Sequence, residues 1–276
     1  MNSKALQVLV NNGNPNGLKI IEISGWTGKC FIIPRQNLKD LKDRGETNQP
    51  GLYFLFGINE ETEEQIVYIG ESETFYSRIT SHDTHKDFWN IAVVFTGGLN
   101  RAFVKYLEYR ATTLANKVKR MCVENKIQPQ ENTLSEFEKI SVEQYFENIR
   151  FILSTFQYEV FESVEESLLD STLYYLKGND HNASAQLLSD GSFNVLKGSR
   201  ARLREAESFD GWSKNARKRF LEDGTLKIEN DVFLFTRDVI FKSPSAAAAT
   251  IAGRSINGWT TWKDKEGKTL DENIRK

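Results

Sequence analysis

The 276-residue sequence predicts an α+β protein in two folded parts. Three observations carry that expectation. Short aromatic and β-branched runs alternate with longer amphipathic stretches. Clusters of Gly, Asn, Asp and Ser separate these runs as turns. An acidic stretch, with ten Asp/Glu against two Lys/Arg over residues 131–170, divides two mildly basic ends.

In order, Leu6–Val10, Leu18–Ile23 and Lys29–Ile33 read as strands, and Pro34 opens a short polar helix over Arg35–Arg44. Residues 1–50 are thus expected to form a β-rich N-terminal segment. Leu52–Gly57 and Gln65–Gly70 flank the polar Ile58–Glu64 and read as a β-hairpin. Centred on that tip, the hairpin sets Tyr53 and Tyr68 opposite or nearly opposite each other. Glu71–His82 follows as a helix with Ser72 as its N-cap, and Arg78 and His82 share one face four residues apart. Phe88–Thr96 is a third strand. Arg101–Arg120 is a long helix with Phe103, Leu107, Leu114 and Val118 as its core stripe. Glu108 lies beside that stripe on a line with Val104, Ala111 and Ala115, where small residues leave room for a ligand. Taken singly, these side chains have ordinary readings too. Tyr53 and Tyr68 suit strands, Arg78 suits a solvated surface, His82 suits a helix end, and Glu108 suits an ion pair with Lys105.

Asn132–Phe156 reads as a helix with Ser135 and Glu138 as a capping box, its acidic face suiting a connector over residues 133–176. Beyond it, residues 177–276 read as a compact α+β unit. Ala183–Leu188 and Ser192–Leu196 form a hairpin, Lys214–Asp223 a basic helix, and Phe233–Phe235 a strand. Ser243-Pro244 opens another helix that Gly253 ends, and Asn257–Lys263 turns into an aromatic strand.

Composition narrows the function classes. With 39% hydrophobic and 27% charged residues and 5 prolines, the chain is neither disordered nor collagen-like. No apolar run is long enough to cross a bilayer, and no signal peptide is recognisable, so a cytoplasmic location is expected. Cys30 and Cys122 make no disulfide framework, and His82 with His85 lacks the further ligands of a zinc site.

The ordered set Gly51-Leu52-Tyr53, Tyr68-Ile69-Gly70, Arg78, His82 and Glu108 resembles the GIY-YIG endonuclease superfamily over residues 51–132. The resemblance implies a small antiparallel three-stranded sheet flanked by helices. It also implies divalent-metal-dependent hydrolysis of phosphodiester bonds in DNA. Tyr53, Tyr68, Arg78, His82 and Glu108 would form the site, with Glu108 holding Mg²⁺ or Mn²⁺. Tyr53 would take the proton from water, His82 would relay it, and Tyr68 would orient water or phosphate. Glu71 stands where many members carry Lys or Gln. For the family's late asparagine, Asn132 is the first choice and Asn125 the second. The alternative is an inactive module of the same fold that binds nucleic acid or protein. The segments Val195–Ser199, Phe241–Ala248 and Gly253–Trp259 resemble an uncharacterised domain found behind such nucleases, and the last two also resemble the restriction-and-methylase-associated domain. DNA binding is expected there through Arg200, Arg202, Arg204, Lys214, Arg217, Lys218 and Arg219.

Overall fold

The structure, a computed structural model, describes residues 3–59, 65–163, 168–169, 172–207, 209 and 211–276. The protein is a mixed α+β chain of two compact units, Met1–Glu162 and Ser163–Lys276, each with its own sheet.

The first unit is built on strands β1 (Leu6–Val10), β2 (Lys19–Ile23), β3 (Lys29–Pro34), β4 (Gly51–Ile58), β5 (Gln65–Ser72), β6 (Trp89–Thr96) and β7 (Cys122–Val123). Their order across the sheet is β1-β2-β3-β6-β4-β5-β7. Every pair is antiparallel except β5 with β7. The expected three strands, β6, β4 and β5, are therefore the middle of a seven-stranded sheet. The N-terminal strands are no separate segment, because β3 pairs with β6 along its full length, from Lys29 opposite Thr96 to Pro34 opposite Ile91. The hairpin's tip, residues 60–64, lies outside the described residues.

β4 is buried from Gly51 to Gly57, which is why it reads as an unbroken apolar run rather than an alternating one. Its two faces meet different helices. Leu52, Phe54 and Phe56 join a core with α2 (Arg101–Val118) and α3 (Glu136–Thr155). Tyr53 and Leu55 point the other way, into a core with Phe75 and Ile79 of α1 (Phe75–His85). The strand's period of two thus assigns Tyr53 to the α1 face.

The helices depart from expectation in three ways. α1 begins at Phe75, because β5 continues to Ser72, which pairs with Gly51. Thr74, not Ser72, is its N-cap residue, and the Ser72 hydroxyl instead accepts from the Thr74 N–H at 3.1 Å. On α2 the buried line is Val104, Leu107, Ala111 and Ala115, while Phe103, Leu114 and Val118 are only half-buried. The small side chains expected to open a recess instead seat the helix on the sheet. α3 is no connector. Val142, Phe146, Ile149 and Leu153 are fully or almost fully buried in the first unit's core, while Glu136 and Glu147 are exposed and Glu143 accepts from Tyr106 and Arg110 of α2. Its expected contacts Phe137 and Ile140 are exposed.

The second unit carries β8 (Tyr174–Lys177), β9 (Asn182–Leu187), β10 (Phe193–Val195), β11 (Arg200–Arg202), β12 (Leu226–Glu229), β13 (Val232–Phe235) and β14 (Val239–Phe241). They run β12-β13-β11-β9-β10-β14, with β8 also paired to β9. Helix α4 (Gly211–Glu222) and helix α5 (Pro244–Ala252) pack their apolar faces into the same core as Phe193, Phe235, Phe241 and Trp262. Ser243 caps α5 by accepting from the Ala246 N–H, and Gly253 ends it at φ 65°. Gly258–Thr261, expected to lead into a strand, is a helical turn capped by Asn257. Trp262 then turns inward, and its Nε1–H donates to the Pro244 carbonyl at 3.0 Å.

Arg217 of α4 is 2% exposed. Its guanidinium donates to the Thr250 carbonyl at 2.8 Å and the Ile251 carbonyl at 3.4 Å, stacked between Phe209 and Phe233. Those are last-turn carbonyls of α5, which have no partner within the helix and carry the negative end of its dipole. Arg217→Ala is expected to lower stability by about 2–4 kcal/mol in urea unfolding, and Arg217→Lys to recover little, since one ammonium cannot reproduce the planar fork. The exposed Lys218→Ala is expected to stay within about 0.5 kcal/mol of the parent.

Candidate functional site

Tyr53 and Tyr68 stand on the α1 face of neighbouring strands, diagonal to each other. Tyr53 pairs with Gly70 and Leu55 with Tyr68, which leaves the two ring centroids 6.2 Å apart. The residue opposite Tyr53 has to be glycine. A Cβ at position 70 would overlap the Tyr53 ring and hydroxyl. The hairpin's backbone register and this one missing side chain together seat the phenol.

α1 then supplies two polar groups one turn apart. The Tyr53 hydroxyl and His82 Nε2 are 2.9 Å apart. Arg78 hydrogen-bonds the side chains of both Tyr53 and Tyr68, and as a guanidinium it is the donor to each. With the imidazole proton on Nδ1, His82 Nε2 accepts the Tyr53 phenol proton. His82 is 7% exposed and is held down to about 4 by burial first, then by the positive charges of Arg78, Lys86 and His85. It is therefore a neutral acceptor at pH 7. Burial, with Tyr68 adding to it, raises Tyr53 well above the ordinary tyrosine range, and the Arg78 hydrogen bond only partly opposes that. The buried ring keeps its proton unless His82 takes it.

Glu108 comes from the other face of the sheet and meets this cluster at the end of β5. The Glu71 backbone N–H donates to its carboxylate. Burial first, and the Glu71 carboxylate second, raise Glu108 to about 7. Glu71 is itself raised, chiefly by burial. A half-buried carboxylate beside a second carboxylate is short of positive charge, which suits a cation. Among the described residues no three His, Cys, Asp or Glu side chains gather as for a closed metal site. The donor set fits a hard ion such as Mg²⁺ or Mn²⁺ held by one carboxylate, with water and substrate oxygens completing its shell. His85 takes no part, with its Nδ1 2.8 Å from the Ser81 carbonyl oxygen on the exposed side of α1.

Of the two candidate asparagines, Asn125 rather than Asn132 meets β5. Asn132 donates to the Ala102 carbonyl at 3.1 Å, at the start of α2. Asn125 instead grips Ile69, the middle residue of Tyr68-Ile69-Gly70. Its Oδ1 accepts from the Ile69 N–H at 3.0 Å and its Nδ2 donates to the Ile69 carbonyl at 2.7 Å. β7 ends at Val123, so this amide continues the sheet edge past the last backbone pair. Tyr68, Glu108 and Asn125 line a cleft of about 370 Å³ together with Lys86 and Lys126, neither of which the sequence reading singled out. Lys86 was legible by the i, i+4 rule from His82; Lys126 had no signal beyond adjacency to Asn125.

In the second unit the seven basic residues separate. Arg200, Arg204, Lys214 and Lys218 are exposed. Arg202 faces Asp180 as an ion pair at 2.8 Å, and Arg219 is half-buried beside the Phe220 ring. Arg217 is inside, capping α5, and is withdrawn as a nucleic-acid contact.

The two perturbed groups of the site titrate with opposite sign. Neutral His82 contributes stability that is present above about 6.5 and is lost as pH falls toward about 4. Glu108, raised to about 7, costs stability above that pH and is relieved as pH falls toward its unfolded value of about 4.3. Each slope is on the order of 2 kcal/mol at most after solvent screening. In EDTA, Glu108→Gln is expected to lose more stability than the parent between pH 7 and pH 4, and His82→Gln less, as read by urea midpoints. Gly70→Ala is expected to cost about 1–3 kcal/mol by displacing Tyr53.

Residues 174–274 match the family described as Domain of unknown function (DUF4357), which covers the second unit from β8 onward. No curated protein and no solved structure matches the chain.

Proposed function

We propose that the protein is a divalent-metal-dependent endonuclease of the GIY-YIG type that hydrolyses phosphodiester bonds in DNA. The single observation that carries this reading is the arrangement at the end of β5. Tyr53, Tyr68, Arg78 and His82 share hydrogen bonds or ring contacts, and Glu108 and Asn125 close on the same stretch of strand. Residues far apart in sequence meet there, and their chemistry suits phosphodiester hydrolysis. The β6-β4-β5 core of the sheet with α1 and α2 is compatible with the same fold.

The chain's own groups divide the work as follows. Arg78 is exposed and carries a fixed positive charge, so it can take the non-bridging phosphate oxygens while keeping its hold on the tyrosines. Water is deprotonated by Tyr53 as the Tyr53 proton passes to His82 Nε2, so two protons each move one place and the imidazole ends charged. Arg78 steadies the phenol oxygen during that transfer. Tyr68, half-buried and bonded to Arg78, orients the phosphate. Glu108 would hold a divalent ion, which would supply charge for the phosphate and the leaving oxygen. The second unit's exposed Arg200, Arg204, Lys214 and Lys218 would bind DNA by phosphate contacts.

Glu71 favours a second reading, a non-catalytic module, because a carboxylate beside Glu108 opposes an incoming phosphate. One experiment separates the two. The purified chain is incubated with single- and double-stranded DNA and RNA in Mg²⁺, Mn²⁺ or EDTA. Metal-dependent cleavage is expected. Arg78→Ala and Glu108→Gln are each expected to lower it by about 10²–10³-fold or more with circular dichroism unchanged. Undiminished turnover in either folded variant removes the assignment. Binding without cleavage in any metal supports the module instead.

A further inference from the structure

Lys86 and Lys126 enter the Glu108 cleft from separate elements. Lys86 follows the last residue of α1, one turn beyond His82, whose carbonyl accepts its backbone N–H at 2.9 Å. Lys126 sits on the loop after β7. Both line the cleft with Tyr68 and Glu108. Neither has an acidic partner among the described residues, whereas Lys29 and Lys139 of the same unit are paired with glutamates.

Each lysine is also held in place. The Lys86 ammonium lies 4.3 Å from the Tyr68 ring centroid and 5.7 Å from that of Phe88. Aromatic faces orient an ammonium without neutralising it, so its donors stay free for an anion. The Lys126 loop is pinned on both sides. Asn125 grips Ile69, and the Gln128 side chain accepts from Asn116 at 3.0 Å and donates to Thr113 at 3.3 Å. Between these pins, Ile127 is 83% exposed at the cleft's rim. A rigid loop that presents a cation and a bare isoleucine suits a ligand with both charge and an apolar body, as a nucleotide chain has.

We propose that Lys86 and Lys126 take the phosphates on either side of the one addressed by Arg78 and Glu108, so that the cleft receives the interior of a polynucleotide strand. This rests on the nuclease reading and deepens it by naming the residues that hold the flanking phosphates. The cleft selects a strand that runs through it over a strand end or an isolated diester. Lys86 and Lys126 act as positioning residues, setting where along the strand the cut falls.

Two readouts test it. The first is the salt dependence of binding to a single-stranded oligonucleotide in EDTA. Lys86→Ala and Lys126→Ala are each expected to reduce the slope of log affinity against log salt by about 0.7–1. Lys86→Arg should keep the parent slope. The second compares turnover in Mg²⁺ of the oligonucleotide and of bis(p-nitrophenyl) phosphate, which has no neighbouring phosphates. Each alanine variant should raise KM for the oligonucleotide about fivefold to tenfold, and Lys126→Ala should leave the small diester unchanged. Equal losses on both substrates, or unchanged salt slopes in a chain that still cleaves, would overturn the proposal and leave the nuclease reading standing. Reduced slopes in a chain that binds but never cleaves would support the strand cleft and remove the nuclease. A chain that neither binds nor cleaves removes both.

Discussion

The Tyr53 phenol, seated over Gly70 and held by Arg78 and His82, is the constraint around which the first unit's site is built. A buried phenol without a partner costs free energy, and here every partner comes from α1. The register of β4 with β5 fixes where the ring lies, and α1 must then dock with Arg78 and His82 over it. Phe75 and Ile79, buried on the same face of α1 as His82, anchor the helix in that rotation. The same apolar contacts that stabilise the fold thus decide which polar face looks at the tyrosines.

Glu108 shows why the site sits at a sheet edge. α2 packs on the face opposite α1, so a residue of α2 reaches Tyr68 only where the sheet stops. β7 is two residues long, and its pairing ends at Val123. Beyond it the edge of β5 would be open but for Asn125, whose amide meets both backbone groups of Ile69. One side chain doing the work of a strand leaves the space beside it free. The cleft is that space, and the half-buried carboxylate at its wall is held near neutral pH by the same exclusion of water.

The local features were legible wherever one residue's chemistry decided them. Ser135 with Glu138, Ser243 with Pro244, and Gly253 each mark a helix end by a cap or a positive φ that needs no tertiary partner. The pairing of Tyr53 with Tyr68 followed from hairpin symmetry alone, to within one diagonal step. What failed depended on packing across the chain. A single polar face made α3 look like a connector, since acidic residues dominate a count while the buried stripe decides the docking. The line of Val104, Ala111 and Ala115 looked like a recess because small side chains mark close approach as readily as vacancy. Arg217 looked like a phosphate contact because charge in sequence does not reveal which face of a helix is inside. Asn125 and Asn132 could not be separated without knowing which of them met β5.

The two tyrosines are not equivalent as proton carriers, and the difference is geometric. Tyr53 is buried to 1% and faces His82 at hydrogen-bond distance, whereas Tyr68 is half-buried and opens onto the cleft. A base must exchange a proton with water, which favours the open ring; it must also lose its own proton first, which favours the ring with an imidazole acceptor. Tyr53 satisfies the second condition in full and the first only if substrate or water enters between it and Arg78. In the proposed reaction Arg78 stays beside the phenols while it meets the phosphate, because its charge is what favours the phenol oxygen as the proton leaves. The resting site holds a protonated, buried Tyr53, and its proton would pass to His82 only as water gives one up to the phenol.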